Sequence, residues 1–173
     1  FTFDDGFEEQ YTGIAPVLEE FGINAAFFII PGFVDGDQAY RDNLYRTTFT
    51  RDRFLTSPKP PMTWEQIADL QKRGHIIGSH GMNHSGLLSA GTGILKEEII
   101  KSKEVIESKT GAPCEYFAYP FGTKKGIGKE ALKMAKENYL YVFSQSEYRK
   151  YFSFDGAVIN RRHFEPFWSV RHV

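Results

Sequence analysis

At 173 residues, 41% of them hydrophobic and 25% charged, with a formal net charge of -1, the chain has room for one sizeable core and too little length for two ordinary domains. The near-neutral balance, without a basic excess, argues against a nucleic-acid partner, and no run approaches the ~18 apolar residues of a membrane-spanning helix. A single cysteine, Cys114, leaves no internal disulfide and no cysteine-based zinc site.

The chain opens FTFDDG, a strand-like triplet, Phe1–Phe3, followed by two carboxylates and a glycine. So short a first strand looks cut from a longer polypeptide, so targeting signals are expected upstream. From Glu8 to Phe21 the residues Ile14, Val17, Leu18 and Phe21 recur at helical spacing, which predicts a helix packed on a core and stopped by Gly22. The continuous apolar run 25–30, ended by Pro31 and Gly32, predicts a strand buried on both faces and hence a parallel sheet. The stretch from Phe33 to Pro61, carrying Arg41, Arg46, Arg51 and Arg53, shows no clear period and is read as a long irregular rim loop or lid.

Helix–strand alternation then resumes. Thr63 caps a predicted helix from Trp64 to Arg73, closed by Gly74 and followed by a strand, Ile76–Ser79. A third helix from Ile94 to Lys109, with Leu95, Ile99, Ile100 and Ile106 as its apolar face, precedes the strand Tyr116–Ala118. A fourth helix from Ile127 to Asn138, a strand from Leu140 to Phe143 and another from Ala157 to Ile159 complete an α/β pattern in one domain, 1–173. Periodicity alone leaves a barrel and a doubly wound sheet both open.

Polar residues gather just after the strands: Asp4 and Asp5 after the first, His80 and His84 in GSHGMNH after the third, and Tyr119, Pro120, Phe121 and Gly122 after Tyr116–Ala118. In parallel α/β folds the carboxyl ends of strands are where ligand and catalytic groups collect. A solvated turn would accommodate an Asp-Asp pair, and each histidine would serve as an isolated turn cap. Together, however, two imidazoles and a carboxylate make an open three-ligand set of the kind found in catalytic zinc sites, which also suits cobalt, nickel or iron.

FTFDDG, GSHGMNH and FAYPFG, in that order and spacing across roughly residues 1 to 143, resemble the first three motifs of the polysaccharide deacetylases, the NodB-homology domain of carbohydrate esterase family four. The resemblance implies a distorted (β/α) barrel with fewer than eight units, one bound divalent metal, and hydrolysis of N-acetyl groups from a sugar. It implies Asp5, His80 and His84 as metal ligands, Asp4 as catalytic base, and the Phe121 N–H as a donor to the oxyanion. On this reading adjacent strand-end residues point apart, Asp5 toward the metal and Asp4 toward the attacking water. An extracytoplasmic or cell-envelope location is implied by the resemblance only.

The sequence also departs from the family pattern. Ala118 stands where many members carry an arginine that orients the aspartate, so Arg161 or Arg162 is the candidate for that charge; Arg161 is also expected, with Tyr119 and Pro120, among the substrate contacts. The fourth and fifth motifs are absent in their usual form, and FAYPFG is similar to the branch acting on poly-N-acetylglucosamine, whose acid histidine can precede the first motif. The proton donor to the leaving amine is therefore expected upstream or at His163, with His172 as a further substitute, while His75 is read as structural. Two other functions fit the residues: deacylation of another amide, such as a lipid-linked sugar or a small cyclic amide, and a catalytically silent carbohydrate-binding module.

Overall fold

The computed structural model describes residues 1–49, 58–145, 149–163, 169 and 171. Strands and helices alternate: β1 (Thr2–Phe3), α1 (Ala15–Glu20), β2 (Ala26–Ile29), α2 (Pro31–Asp35), α3 (Gln38–Leu44), α4 (Trp64–Lys72), β3 (Ile76–Ser79), α5 (Thr92–Leu95), α6 (Ser102–Thr110), β4 (Tyr116–Ala118), α7 (Lys129–Asn138), β5 (Tyr141–Ser144), β6 (Phe152–Ser153) and β7 (Val158–Asn160). The seven strands form one sheet in the order β1-β2-β3-β4-β5-β7-β6, parallel except between β6 and β7. This nearly sequential order is that of a barrel, whereas a doubly wound sheet would reverse direction part-way.

No backbone ladder joins β1 to β6 or β7 among the described residues. Side chains bridge the opening instead: Arg161, just beyond β7, donates to Thr2 Oγ1 at 3.1 Å and to Asp4, just beyond β1. The fold is thus the distorted barrel of fewer than eight units. No described helix is long and apolar enough to cross a membrane.

Alternation along the strands divides the core in two. Phe27 and Ile29 of β2, Ile77 of β3, Phe117 of β4 and Val142 of β5 face the helices and join a cluster with Ile67, Leu70, Ile99, Ile106 and Ala135. The concave face carries Ala26, Phe28 and Ala118, with Tyr116 and Phe143 packed against them. Gly78 makes room there, since a Cβ on it would stand 2.6 Å from two ring atoms of Phe28. A third cluster, Ile30, Phe33, Leu44, Tyr45 and Phe49 with Phe7 against it, roofs the segment after β2.

The sequence-based expectations need correction in three places. The segment from Phe33 to Pro61 is not an irregular loop: it completes α2, forms α3 and continues helically through Tyr45–Phe49, with residues 50–57, including Arg51 and Arg53, outside the described set. Asp37 caps α3 by accepting the Tyr40 N–H at 2.8 Å, and Arg41 folds back onto the carbonyls of Phe33 and Val34. On the first helix Val17 and Phe21 are exposed rather than packed. The wider turn Gln10–Ile14 shifts the phase, so that Tyr11, Ala15 and Leu18 face the core. Finally, the antiparallel pair β6–β7 was not anticipated, because Phe152 and Ser153 show no alternation in so short a strand.

α4 carries a full capping box, Thr63 Oγ1 accepting from Gln66 N and Gln66 Oε1 from Thr63 N. Gly78→Ala should overpack the concave face and lower the unfolding free energy by about 1–3 kcal/mol, read by urea denaturation. Burial pushes the Cys114 thiol up to about 12, so it stays protonated at pH 8. A thiol reagent should therefore fail to label the native protein at that pH and label it on unfolding.

Candidate metal centre

Asp4 and Asp5 follow β1, His80 and His84 follow β3, and Phe121 follows β4; these neighbouring strand ends deliver their groups to one rim. The two aspartates do not point apart as strand alternation suggests. Asp5 adopts φ 76 and Gly6 the same value, a left-handed pair that turns both carboxylates toward one imidazole. Asp4 Oδ2 lies 3.6 Å from His80 Nε2, and Asp5 Oδ1 lies 3.7 Å from the same atom and 3.5 Å from His84 Nε2.

The carboxylates have different partners. Asp4 is gripped by the guanidinium fork of Arg161, with Nη1 to Oδ1 at 2.7 Å and Nη2 to Oδ2 at 2.8 Å, and Gln145 Nε2 adds a bond to Oδ2 at 3.0 Å. Burial would raise the Asp4 pKa, but the neighbouring His80, the permanent charge of Arg161 and these hydrogen bonds hold it well below the carboxylate range. Asp5 Oδ1 is buried with no hydrogen-bond partner. Burial and then the adjacent Asp4 push Asp5 up to about 8, against the pull of Arg161.

The histidines are held as neutral donors of a lone pair. His80 Nδ1 meets the Ala118 carbonyl at 2.8 Å; a carbonyl only accepts, so Nδ1 carries the proton and Nε2 presents its lone pair to the aspartates. Burial lowers the His80 pKa, and burial, then the nearness of His80, which disfavours a second positive charge beside it, lowers His84 to about 3. The His84 ring, on a residue at φ 59, is wedged by Phe121 at 4.6 Å, His80 at 4.9 Å and Phe49 at 6.1 Å between centroids.

These features fit a divalent ion. The ligand atoms of Asp5, His80 and His84 all lie within 4.8 Å of one another. A tetrahedral ion with ligands near 2.1 Å separates its donors by about 3.4 Å, close to the 3.5 and 3.7 Å found here. The buried Asp5 Oδ1, with no hydrogen-bond partner, completes a donor set that suits such an ion.

The remaining residues singled out by sequence distribute unevenly. Phe121, at φ 51 and 42% exposed, stands at the rim, and its N–H has no acceptor among the described residues. Tyr119 and Pro120 are buried: the Tyr119 ring joins the helix-side core against Phe117, so neither side chain is presented at the surface as expected of a substrate contact. Arg161 is occupied by Asp4 rather than presented to a ligand. Its Nε donates to the Ser144 carbonyl at 3.0 Å, and its guanidinium lies over the rings of Phe28 and Phe143. His163 lies exposed two residues further on, outside the Asp5–His80–His84 cluster, and His172 falls outside the described residues. Gln145 was not singled out, although its place directly after β5 is the same strand-end signal that located the others.

A profile of the family described as polysaccharide deacetylase matches residues 1–142. Among curated proteins, the chain is 27% identical over 143 residues to a peptidoglycan-N-acetylglucosamine deacetylase of Bacillus cereus, covering 82% of this chain and 42% of that protein. It is 24% identical over 160 residues to the poly-beta-1,6-N-acetyl-D-glucosamine N-deacetylase of Escherichia coli K12, covering 76% of this chain and 23% of that protein. The chain thus spans less than half the length of either relative. The fold matches that of Streptococcus pyogenes deacetylase PplD in complex with acetate, with TM-score 0.73 and 20% identity over 96% of this chain and 64% of that one. It also matches IcaB from Ammonifex degensii, with TM-score 0.71 and 21% identity over 95% of this chain and 66% of that one.

Since Asp5 sits near 8 without a cation and both histidines are neutral at pH 7, zinc uptake at pH 7 should release about one proton, from Asp5. Affinity should fall as pH drops below about 8. Asp5→Asn and His80→Ala should abolish zinc uptake and Asp4→Asn should retain it; titration in weak buffer with metal analysis reads all three.

Proposed function

Because the chain belongs to the polysaccharide deacetylase family, with residues 1–142 matched, we propose that it hydrolyses N-acetyl groups from an N-acetylated sugar polymer outside the cytoplasm, with Asp5, His80 and His84 holding one divalent metal, zinc by preference. The observation that carries this reading is the division of labour between adjacent carboxylates: Asp5 is left with an unpartnered buried oxygen among imidazoles, while Asp4 is fixed by Arg161 and Gln145. A metal-binding module without chemistry would need the first, and could keep Arg161 to bridge the sheet; what favours chemistry is an aspartate held ionised directly beside the proposed ligands.

When bound, the ion would supply Lewis acidity, polarising the acyl carbonyl and making water a stronger acid. Asp4 then takes the proton of the attacking water. Arg161 and Gln145 hold its carboxylate in one orientation and keep it ionised, so the base is in the right protonation state before substrate arrives. The Phe121 N–H, on a rim residue and without an acceptor among the described residues, is the proposed donor to the oxygen on which charge develops. The leaving amine must gain a proton, and His163, exposed on the segment that carries Arg161, is the candidate donor within this chain. Tyr119 and Pro120 act through the loop they build beneath Phe121 rather than by touching the sugar.

The zinc-loaded protein should release acetate from N-acetylglucosamine oligomers. Asp4→Asn should lose about 10²–10⁴-fold in kcat. Arg161→Lys, which keeps the charge and loses the fork, should lose about 10²-fold through misplacement of Asp4 while zinc binding is unchanged. A zinc-loaded parent that liberates no acetate from any N-acetylated oligosaccharide would overturn the reading.

A further inference from the structure

Glu98 is a carboxylate at 1% exposure on the core side of the helical segment Lys96–Lys101, in line with the apolar Leu95, Ile99 and Ile106. A buried charge is costly unless hydrogen bonds replace its water. Among the described residues no lysine or arginine pairs with it; its carboxylate is bonded by groups of the loop that carries the two histidines. The Asn83 N–H lies 3.2 and 3.1 Å from the two carboxylate oxygens, the Ser85 N–H donates to Oε2 at 3.3 Å, and the Ser85 hydroxyl donates to Oε1 at 2.8 Å. Gly81, at φ +81, leaves the space the carboxylate fills: a Cβ there would stand 2.5 Å from Oε2. On its other side the loop is tied to the segment after β2, by the Gly32 N–H to the Met82 carbonyl at 2.9 Å and the Tyr40 hydroxyl to Asn83 Oδ1 at 2.7 Å.

The geometry points to Glu98 as a positioning residue of the metal centre, an anionic anchor that fixes residues 81–85 so that His80 and His84 present their Nε2 atoms to Asp5. The inference rests on the metal-holding role proposed above for those three residues. His84 lies at φ 59, a conformation that a β-substituted residue adopts only when its surroundings impose it. The backbone N–H groups on either side of it, at Asn83 and Ser85, are the two that Glu98 binds. Glu98 makes no hydrogen bond to the side chains of Asp5, His80 or His84; it reaches the site through the loop backbone, and its charge also acts on His80 through space.

The test compares the parent, Glu98→Gln, Ser85→Ala and Asp5→Asn by zinc affinity in competition with a chromophoric chelator, by the visible spectrum of the cobalt(II) form, and by circular dichroism. Glu98→Gln turns an amide N–H₂ toward donors and should weaken zinc binding about 10- to 100-fold and alter the cobalt spectrum, with the secondary structure retained. Ser85→Ala, which removes one hydroxyl donor and keeps the carboxylate in place, should shift both readouts in the same direction by less. If Glu98→Gln does not fold, Ser85→Ala decides alone. Folded variants with the parent's zinc affinity and cobalt spectrum would overturn the anchor role. A parent that binds no more zinc than Asp5→Asn would instead overturn the metal centre itself, and the anchor role with it.

Discussion

One guanidinium, that of Arg161, stands between the two ends of the curled sheet. It reaches from the end of β7 to Thr2 and Asp4 at β1, lies over Phe28 and Phe143 of the concave face, and ties back to the carbonyl of Ser144, the last residue of β5. A planar fork is needed for this, because a lysine ammonium can neither bracket both Asp4 oxygens nor stack on two rings. With 11% and 15% of the two side chains exposed, the pair is largely desolvated, so losing either partner leaves an uncompensated charge in a weakly polar site. The same contact that orients Asp4 therefore also spans the gap that no backbone ladder closes among the described residues.

Backbone strain follows the same geography. Asp5, His84 and Phe121 all have positive φ, and each lies in the loop beyond a different strand, β1, β3 and β4. Such residues cost about 1–3 kcal/mol each and persist only where neighbours over-determine them. Met62 N–H on the Gly6 carbonyl holds the first loop, the Glu98 carboxylate the second, and the short Thr123 N–H to Phe121 carbonyl turn the third. Positive φ is not by itself a mark of a site, since Phe154 and Asp155 share it in the turn between β6 and β7.

Much of this was legible in the sequence because the signals were local. The buried strands after α1, α4 and α6 announce themselves as short apolar runs, and the capping box before Trp64 sits in four consecutive residues. Asp4, Asp5, His80 and His84 stand out in the sequence as strand-end groups, and only the family resemblance separates the roles expected of the two aspartates. What the sequence concealed was set by tertiary packing. The helices after β2 bury their aromatic side while arginines interrupt the pattern, and a wide turn rotates α1 away from the face that Val17 and Phe21 suggested. Arg161 and Arg162 are adjacent and alike in sequence; only the curl of the sheet selects the first for Asp4. Gln145 and Glu98 carry no motif, and their importance lies in which loop each one faces.

The Asp4–Arg161 contact joins residues 157 positions apart, and this bears on how the molecule is made. During ribosomal synthesis the aspartates emerge before the histidine loop, yet the arginine that neutralises Asp4 appears only after all seven strands have been laid down. Parallel pairing is slow to form because each step must close a long loop before it is rewarded. A nascent chain that has reached β5 can already carry Asp5, His80 and His84 while Asp4 still lacks its counter-ion. The pairing of Asp4 with Arg161 thus waits for the later strands of this stretch, and it forms in the same step that fastens the two margins of the sheet.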